Sequence, residues 1–169
     1  MGRVIRFFRC AVIVLAFVVA GCSTQSKFIN YNGPEVTKLE VHKGQRLLKV
    51  FHGNRLLDQM PMELGFGATG HKQFEGDGRT PEGRYTIDRR NPNSSFYLSL
   101  GISYPNARDI AFAQAQGLEP GGDIFIHGQP NLFGPRGPDW TAGCIAVTNA
   151  QMRELYAKVK NGTIIDIFP

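Results

Sequence analysis

Two side chains in this sequence, Cys144 and His127, have the chemistry of a thiol nucleophile and its base. Sixteen residues separate them, carrying Pro130, Pro135 and Pro138 with Gly128, Gly134 and Gly137. A loop of that composition can bring two strand ends side by side. A cysteine thiol has a reference pKa of about 8.5 and attacks a carbonyl only as thiolate, so it needs a neighbouring imidazole or positive potential. His127 closes the apolar run Ile124-Phe125-Ile126 and is followed by Gly128 and the long loop, which suits a base held on a rigid strand end. Gly143 permits close backbone approach at the thiol, and the main-chain N–H groups of Gly143 and Cys144 are candidates to face a developing oxyanion. On residue type alone, a packed Cys144 and a backbone-satisfied His127 account for these positions equally well.

The other histidines carry less. His42 and His52 lie among Lys and Arg in alternating segments and read as solvated strand residues; His71 sits in a glycine-rich loop. One Cys and one His make half of a tetrahedral zinc set, and no C-x-x-C or H-x-x-x-H completes it. No metal and no other cofactor is expected.

The fate of the three cysteines follows from the N-terminus. Arg3, Arg6 and Arg9 precede an uncharged apolar run that ends in small residues at Gly21, the layout of a secretory signal. The uncharged stretch from Cys10 to Gly21 is 12 residues long, short of the roughly 20 that a membrane-spanning helix needs. Val19-Ala20-Gly21-Cys22 resembles a bacterial lipobox, which implies cleavage after residue 21 and acylation of Cys22. Each buried CH₂ of an acyl chain contributes about 0.8 kcal/mol to anchoring. Cys10 would leave with the signal and Cys22 would carry lipid, so Cys144 would stand alone in an oxidising compartment with no disulfide partner.

Charge excludes a function class once it is located. The chain of 169 residues has a formal charge of +5, which by itself suggests a nucleic-acid binder. The first 21 residues hold three arginines and no acid, leaving 16 basic and 14 acidic residues. A net charge of that size gives no case for nucleic acid. With 42% hydrophobic residues the remainder can bury a core, and its length suits one domain.

Several elements must position the thiol and the imidazole. Ser23 to Pro34 is polar and aperiodic, and residues 22–34 read as a flexible tether to a domain at 35–169. Val36–Lys43, Arg46–His52 and Arg55–Leu64 alternate apolar and polar residues around turn signals and predict three consecutive antiparallel strands. Gly65 to Gly83 holds six glycines and leads through Thr80-Pro81-Glu82-Gly83, a turn, into a strand at Arg84–Ile87. Further strands are expected at Ser95–Ser103, Asp123–His127, Cys144–Val147 and Thr163–Phe168. Ala107–Gln116 predicts a short helix. Met152, Leu155, Tyr156 and Val159 fall on one helical face, with a Thr148/Gln151 capping box before them and Gly162 as the stop. The whole is a mainly β domain with two short helices, α+β, sandwich-like or barrel-like.

Thr80-Pro81-Glu82-Gly83-x-Tyr85, Ile126-His127-Gly128 and Thr141-Ala142-Gly143-Cys144-Ile145 resemble, in order and spacing, the successive motifs of the L,D-transpeptidase (YkuD-type) catalytic domain. The resemblance covers roughly residues 36–168. It implies a β-rich domain in which the cysteine attacks the carbonyl between the L-centre of diaminopimelate and D-alanine in a peptidoglycan stem. D-alanine leaves, and an amine of a second stem or another acceptor resolves the thioester. By motif, Cys144 is the nucleophile, His127 the base, Gly128 the residue whose carbonyl orients His127, and Gly143 and Cys144 the oxyanion amides; Trp140, Thr141 and Ala142 fall at substrate-binding positions. The order His before Cys is opposite to that of papain-like peptidases.

Two positions depart from the family pattern. Many members carry His, Lys or Arg just before the Gly-Cys pair and Arg or Asn two residues after the Cys, where this chain has Ala142 and Ala146. Trp140 either shapes the pocket in their place or anchors its loop. Relatives of this fold include hydrolases, so amine and water both stand as acceptors. The expected partners are peptidoglycan stem peptides and, through acylated Cys22, a lipid membrane; the protein is expected to be an exported, envelope-anchored monomer.

Overall fold

Alternation at residues 38–61 becomes three strands, β1 (Lys38–His42), β2 (Leu47–His52) and β3 (Arg55–Pro61); β1 and β2 bury every second side chain, and β3, at the sheet edge, buries Met60. The computed structural model describes residues 26–130 and 137–169; the expected signal segment 1–21 and Cys22 lie outside the described residues. β4 (Gly83–Asn91) and β5 (Ser99–Ile102) follow, then α1 (Ala107–Gln114), β6 (Phe125–His127), β7 (Ile145–Ala146), α2 (Asn149–Lys158) and β8 (Ile164–Phe168).

The eight strands of this sheet run in the order β3-β2-β1-β8-β4-β5-β6-β7. β1 and β2 pair antiparallel, as do β2 and β3. The last strand of the chain, β8, is inserted at the centre, parallel to β1 and antiparallel to β4. Beyond β3 the chain turns back onto the far end of the sheet: Glu63 and Ala146 exchange two backbone hydrogen bonds of 2.8 Å, and Gly65 bridges Thr141. The sheet therefore curls into a barrel-like form around Leu39, Val41, Leu48, Ile87, Leu100, Ile126, Ile145 and Ile165.

Local differences from the expected bounds have backbone causes. Tyr97 adopts φ 72° and Asp123 φ 54°, left-handed conformations that end extended geometry, so β5 and β6 begin later than the apolar runs suggest. β4 is longer than expected because it pairs with β8 at one end and β5 at the other. α2 matches its sequence signature: Thr148 and Gln151 form the capping box, and Met152, Leu155 and Tyr156 are buried. α1 is opened by a second box, from Asn106 and Asp109. Within the expected tether, Lys27 donates to Pro92 O and the Phe28 ring lies 6.2 Å from that of Tyr156.

A buried lysine joins the sheet to the glycine-rich loop. Lys43, just past β1, is 1% exposed, pairs with Glu82 at 2.7 Å and donates to Thr80 O at 3.1 Å and to Gly70 O. All three ammonium protons are thereby used. The turn at Thr80–Gly83 is fixed to the strand beside it.

Candidate active site

β6 and β7 are parallel neighbours, with Ile126 opposite Ile145 and His127 opposite Ala146. Cys144 is the residue before β7, and Phe125 N–H donates to its Sγ at 3.4 Å. The sixteen-residue separation is thus spanned: His127 ends β6, and Cys144 directly precedes the neighbouring strand β7.

His127 is 4% exposed, enclosed by two rings: its centroid is 4.5 Å from that of Phe96 and 5.6 Å from that of Trp140. Its Nδ1 is 2.7 Å from Gly128 O. A carbonyl only accepts, so the proton is on Nδ1 and Nε2 carries the lone pair. Burial holds the imidazole below its ordinary pKa, with the Gly128 carbonyl opposing the shift. Gly128 has no room for a side chain: a Cβ there would lie 2.4 Å from Asn149 Oδ1.

The thiol donates to Asp123 O at 3.4 Å. Burial pushes Cys144 above its ordinary pKa; the Phe125 amide and Lys72 oppose the rise and Asp123 adds to it. Both groups therefore rest neutral, as thiol and imidazole, at neutral pH. The thiol opens on a cleft of about 350 Å³ lined by Lys72, Glu75, Gly76, Gly121, Gly122, Asp123, Ile124 and Ala142.

Two hydroxyls fix the backbone at the nucleophile. Thr80 Oγ1 donates to Gly143 O at 2.8 Å, and Thr141 Oγ1 donates to Cys144 O at 2.7 Å. In a trans peptide the N–H points opposite to the C=O, so holding Gly143 O toward Thr80 sends the Cys144 N–H the other way. Gly143 itself has φ 127°, and a Cβ there would lie 2.6 Å from Arg79 O. Both facts require glycine.

The structure gives three of the expected site residues specific partners. Thr141 is 4% exposed and its hydroxyl donates to Cys144 O, so it positions the Cys144 segment. The Gly143 amide is buried and donates to Thr141 Oγ1 at 3.2 Å, which leaves Cys144 N–H as the amide of the pair without a partner among the described residues. Trp140 packs on His127; its loop is anchored next door, where Arg46 grips Asp139 through Nε at 2.9 Å and Nη2 at 2.6 Å. Ala142 is exposed and lines the cleft.

Thr80, Phe96, Asp123 and Lys72 contribute to the site without having been singled out from sequence. Of these, Thr80 had a signal, its place in the Thr-Pro-Glu-Gly turn. His71 serves the scaffold: Nδ1 accepts from Glu82 N–H at 2.9 Å and Nε2 is 3.2 Å from Asp109.

Comparison with known proteins places this geometry. Residues 37–167 match the family model described as the L,D-transpeptidase catalytic domain. The YafK protein of Escherichia coli (strain K12) is 30% identical over 132 residues, which are 75% of this chain and 48% of YafK. This chain thus spans about half the length of the curated relatives it matches. Among solved structures, the helical cell shape determining protein Pgp2 of Campylobacter jejuni is 28% identical with a TM-score of 0.64, over 83% of this chain and 50% of Pgp2. Bd1075 of Bdellovibrio bacteriovorus is 26% identical with a TM-score of 0.57, over 83% and 50%. The Enterococcus faecium L,D-transpeptidase C442S mutant, at 16% identity and TM-score 0.53 over 80% and 50%, shares the fold.

Proposed function

The chain belongs to the L,D-transpeptidase catalytic domain family, and we propose that it is a cysteine-dependent peptidoglycan L,D-transpeptidase. In this reading Cys144 attacks the carbonyl between the L-centre of diaminopimelate and D-alanine in a stem tetrapeptide. The thiol proton passes to His127 Nε2, and the Cys144 N–H donates to the developing oxyanion. The tetrahedral intermediate collapses, the C–N bond breaks, and the imidazolium returns the proton to the departing D-alanine amine. An acceptor amine then attacks the thioester, giving up its proton through His127 and releasing the thiol.

The observation that carries this reading is the 2.7 Å contact from His127 Nδ1 to Gly128 O, which leaves Nε2 as a base. Ile124 and Ala142 make the cleft wall beside the thiol partly apolar, and Phe96 and Trp140 pack around the imidazole.

Water in place of the amine is the second reading. What favours it is the pair Ala142 and Ala146, which offer no polar group to hold an acceptor stem. Incubation with tetrapeptide muropeptides, followed by mass spectrometry, separates the two: transfer gives D-alanine and new crosslinks, hydrolysis gives shortened stems alone. Unchanged activity in Cys144→Ala would sink both.

We place the domain at the outer face of a membrane, anchored through acylated Cys22 after removal of residues 1–21, working as a monomer on the cell wall. The similarity to a cell shape determining protein supports a role in wall remodelling. The Cys22→Ser protein should be recovered in the soluble envelope fraction; retention in the membrane would contradict the anchor.

A further inference from the structure

The glycine-rich loop from Gly65 to Gly83 brings a charge to the thiol that the mechanism above does not use. Lys72 is 3% exposed, yet it lines the cleft in which Cys144 stands. Its ammonium donates to Phe74 O at 3.1 Å and to Asp77 Oδ1 at 2.9 Å. An ammonium has three N–H donors, and among the described residues the third has no partner. Asp77 does not consume the charge of Lys72 alone: its carboxylate also accepts from the amides of Gln73 at 2.7 Å, Phe74 at 3.3 Å and Arg79 at 2.9 Å. Asp77 is thereby fixed to the loop backbone, and it holds the Lys72 ammonium at the cleft wall. Lys72 opposes the rise that burial and Asp123 impose on the Cys144 thiol, as a cation on the wall of the same cleft does.

The surroundings give Lys72 no competitor. Among the described residues lining the cleft it is the one cation, and Glu75 and Asp123 are the two anions. Asp123 is itself 3.2 Å from Arg89. Ala142 and Ala146, at the places where the family pattern has polar or basic side chains, carry only methyl groups, and Ala146 is buried.

We propose that Lys72 is the carboxylate-recognising residue of this cleft, donating its remaining N–H to a substrate carboxylate beside the scissile bond. This rests on the stem-peptide reading above and sharpens it. Two carboxylates of such a stem have the same chemistry: the C-terminal one of the leaving residue and the free one on the diaminopimelate side chain. Bound to the first, Lys72 would confine the enzyme to the last peptide bond of a stem; bound to the second, it would select the acyl residue.

The test compares three peptides, the free tetrapeptide, its C-terminal amide and the form amidated on the diaminopimelate side chain, against three proteins. Lys72→Met alone would strand Asp77 in the loop, so the variants are Asp77→Asn, which keeps the ammonium, and Lys72→Met/Asp77→Asn, which removes both charges. Wild type and Asp77→Asn should lose roughly 10- to 100-fold in kcat/KM on one of the two amidated peptides, and the double variant should show near-equal values on all three. The peptide that suffers identifies the carboxylate. A lysine that only braces the loop would lower all three rates together, and an unchanged acid-to-amide ratio in the double variant overturns the proposal. Absence of turnover on every peptide would refute the stem-peptide reading itself. Calorimetric binding of the same peptides to Cys144→Ala protein then still decides on Lys72: an acid preference that vanishes in the double variant sustains the carboxylate site, and binding without preference overturns it.

Discussion

Thr80 Oγ1 lies 2.8 Å from Gly143 O and donates to it across 63 positions of sequence. Thr80 is 0% exposed and its own carbonyl is held by the buried Lys43. A line of hydrogen bonds thus runs from the end of β1 through the Thr-Pro-Glu-Gly turn to the peptide that precedes the nucleophile. It fixes the direction of the Cys144 N–H before substrate arrives.

Thr80→Val keeps the volume and removes the donor. The Gly143 carbonyl would be left unsatisfied at a cost of about 1–3 kcal/mol in stability. Losing the alignment of one oxyanion donor should lower kcat by on the order of 10²-fold while KM changes little. Thr80→Ser should restore most of kcat. Equal losses in the Val and Ser variants would show that the threonine is only a packing element.

The resting state of the thiol sets the pH dependence. Cys144 is raised and His127 lowered, both chiefly by burial. His127 therefore stays a competent base below its ordinary 6.5, and the acid limb of kcat/KM should fall below that pH. Alkylation of Cys144 by iodoacetamide should climb steadily with pH past 9.0. A plateau of alkylation at neutral pH would reveal a preformed thiolate–imidazolium pair and contradict the neutral resting state. Stability has the matching sign: the unfolded imidazole takes up a proton near 6.5 and the native one resists it, so stability declines as pH falls below that value.

Trp140 and Phe96 keep water from His127. Trp140→Ala should let solvent reach the imidazole, raise its pKa and move the acid limb upward, at a cost of about 3 kcal/mol, the lower end for truncating a packed aromatic. Trp140→Phe should leave the limb near its wild-type place. A limb that does not move in Trp140→Ala would mean that other groups desolvate His127.

Arg46 and Asp139 join the turn between β1 and β2 to the loop that carries Trp140, and Asp139 Oδ1 also accepts from Leu64 N–H at 3.0 Å. Burial pulls the carboxylate up, but Arg46 and the Leu64 amide outweigh it and leave the group below its ordinary 3.8. Its contribution to stability is then present at neutral pH and lost only as pH falls below that value. Asp139→Ala should cost about 2 kcal/mol, lowering Tm by about 5–10 °C for a domain of this size. A Tm within 1 °C of wild type, by calorimetry at about pH 7, would show the pair to be ornamental.

How much of this was legible in the residues varies by element. The helix opened by Thr148 and Gln151 was legible because its capping box and apolar spacing are local, and its buried side chains are those the period selects. The first three strands were legible for the same reason: period-two alternation and tight turns are short-range signals. The insertion of β8 between β1 and β4 was not, because parallel pairing between residues some 125 positions apart leaves no mark in either segment. Neither was the late start of β6, which depends on the left-handed backbone at Asp123.

The sequence alone determined the chemical inventory: a thiol preceded by glycine, an imidazole followed by glycine, and a loop long and kinked enough to join them. Those are properties of residue type and spacing. Tertiary structure alone decided what each group does. It put the proton of His127 on Nδ1 through Gly128, assigned the Gly143 amide and the Thr141 hydroxyl to each other, turned Trp140 onto the imidazole and brought Lys72 to the thiol's cleft. Hydrogen-bond partners, burial and the resulting protonation states are set by which distant segments the curled sheet brings together, and no local pattern encodes that choice.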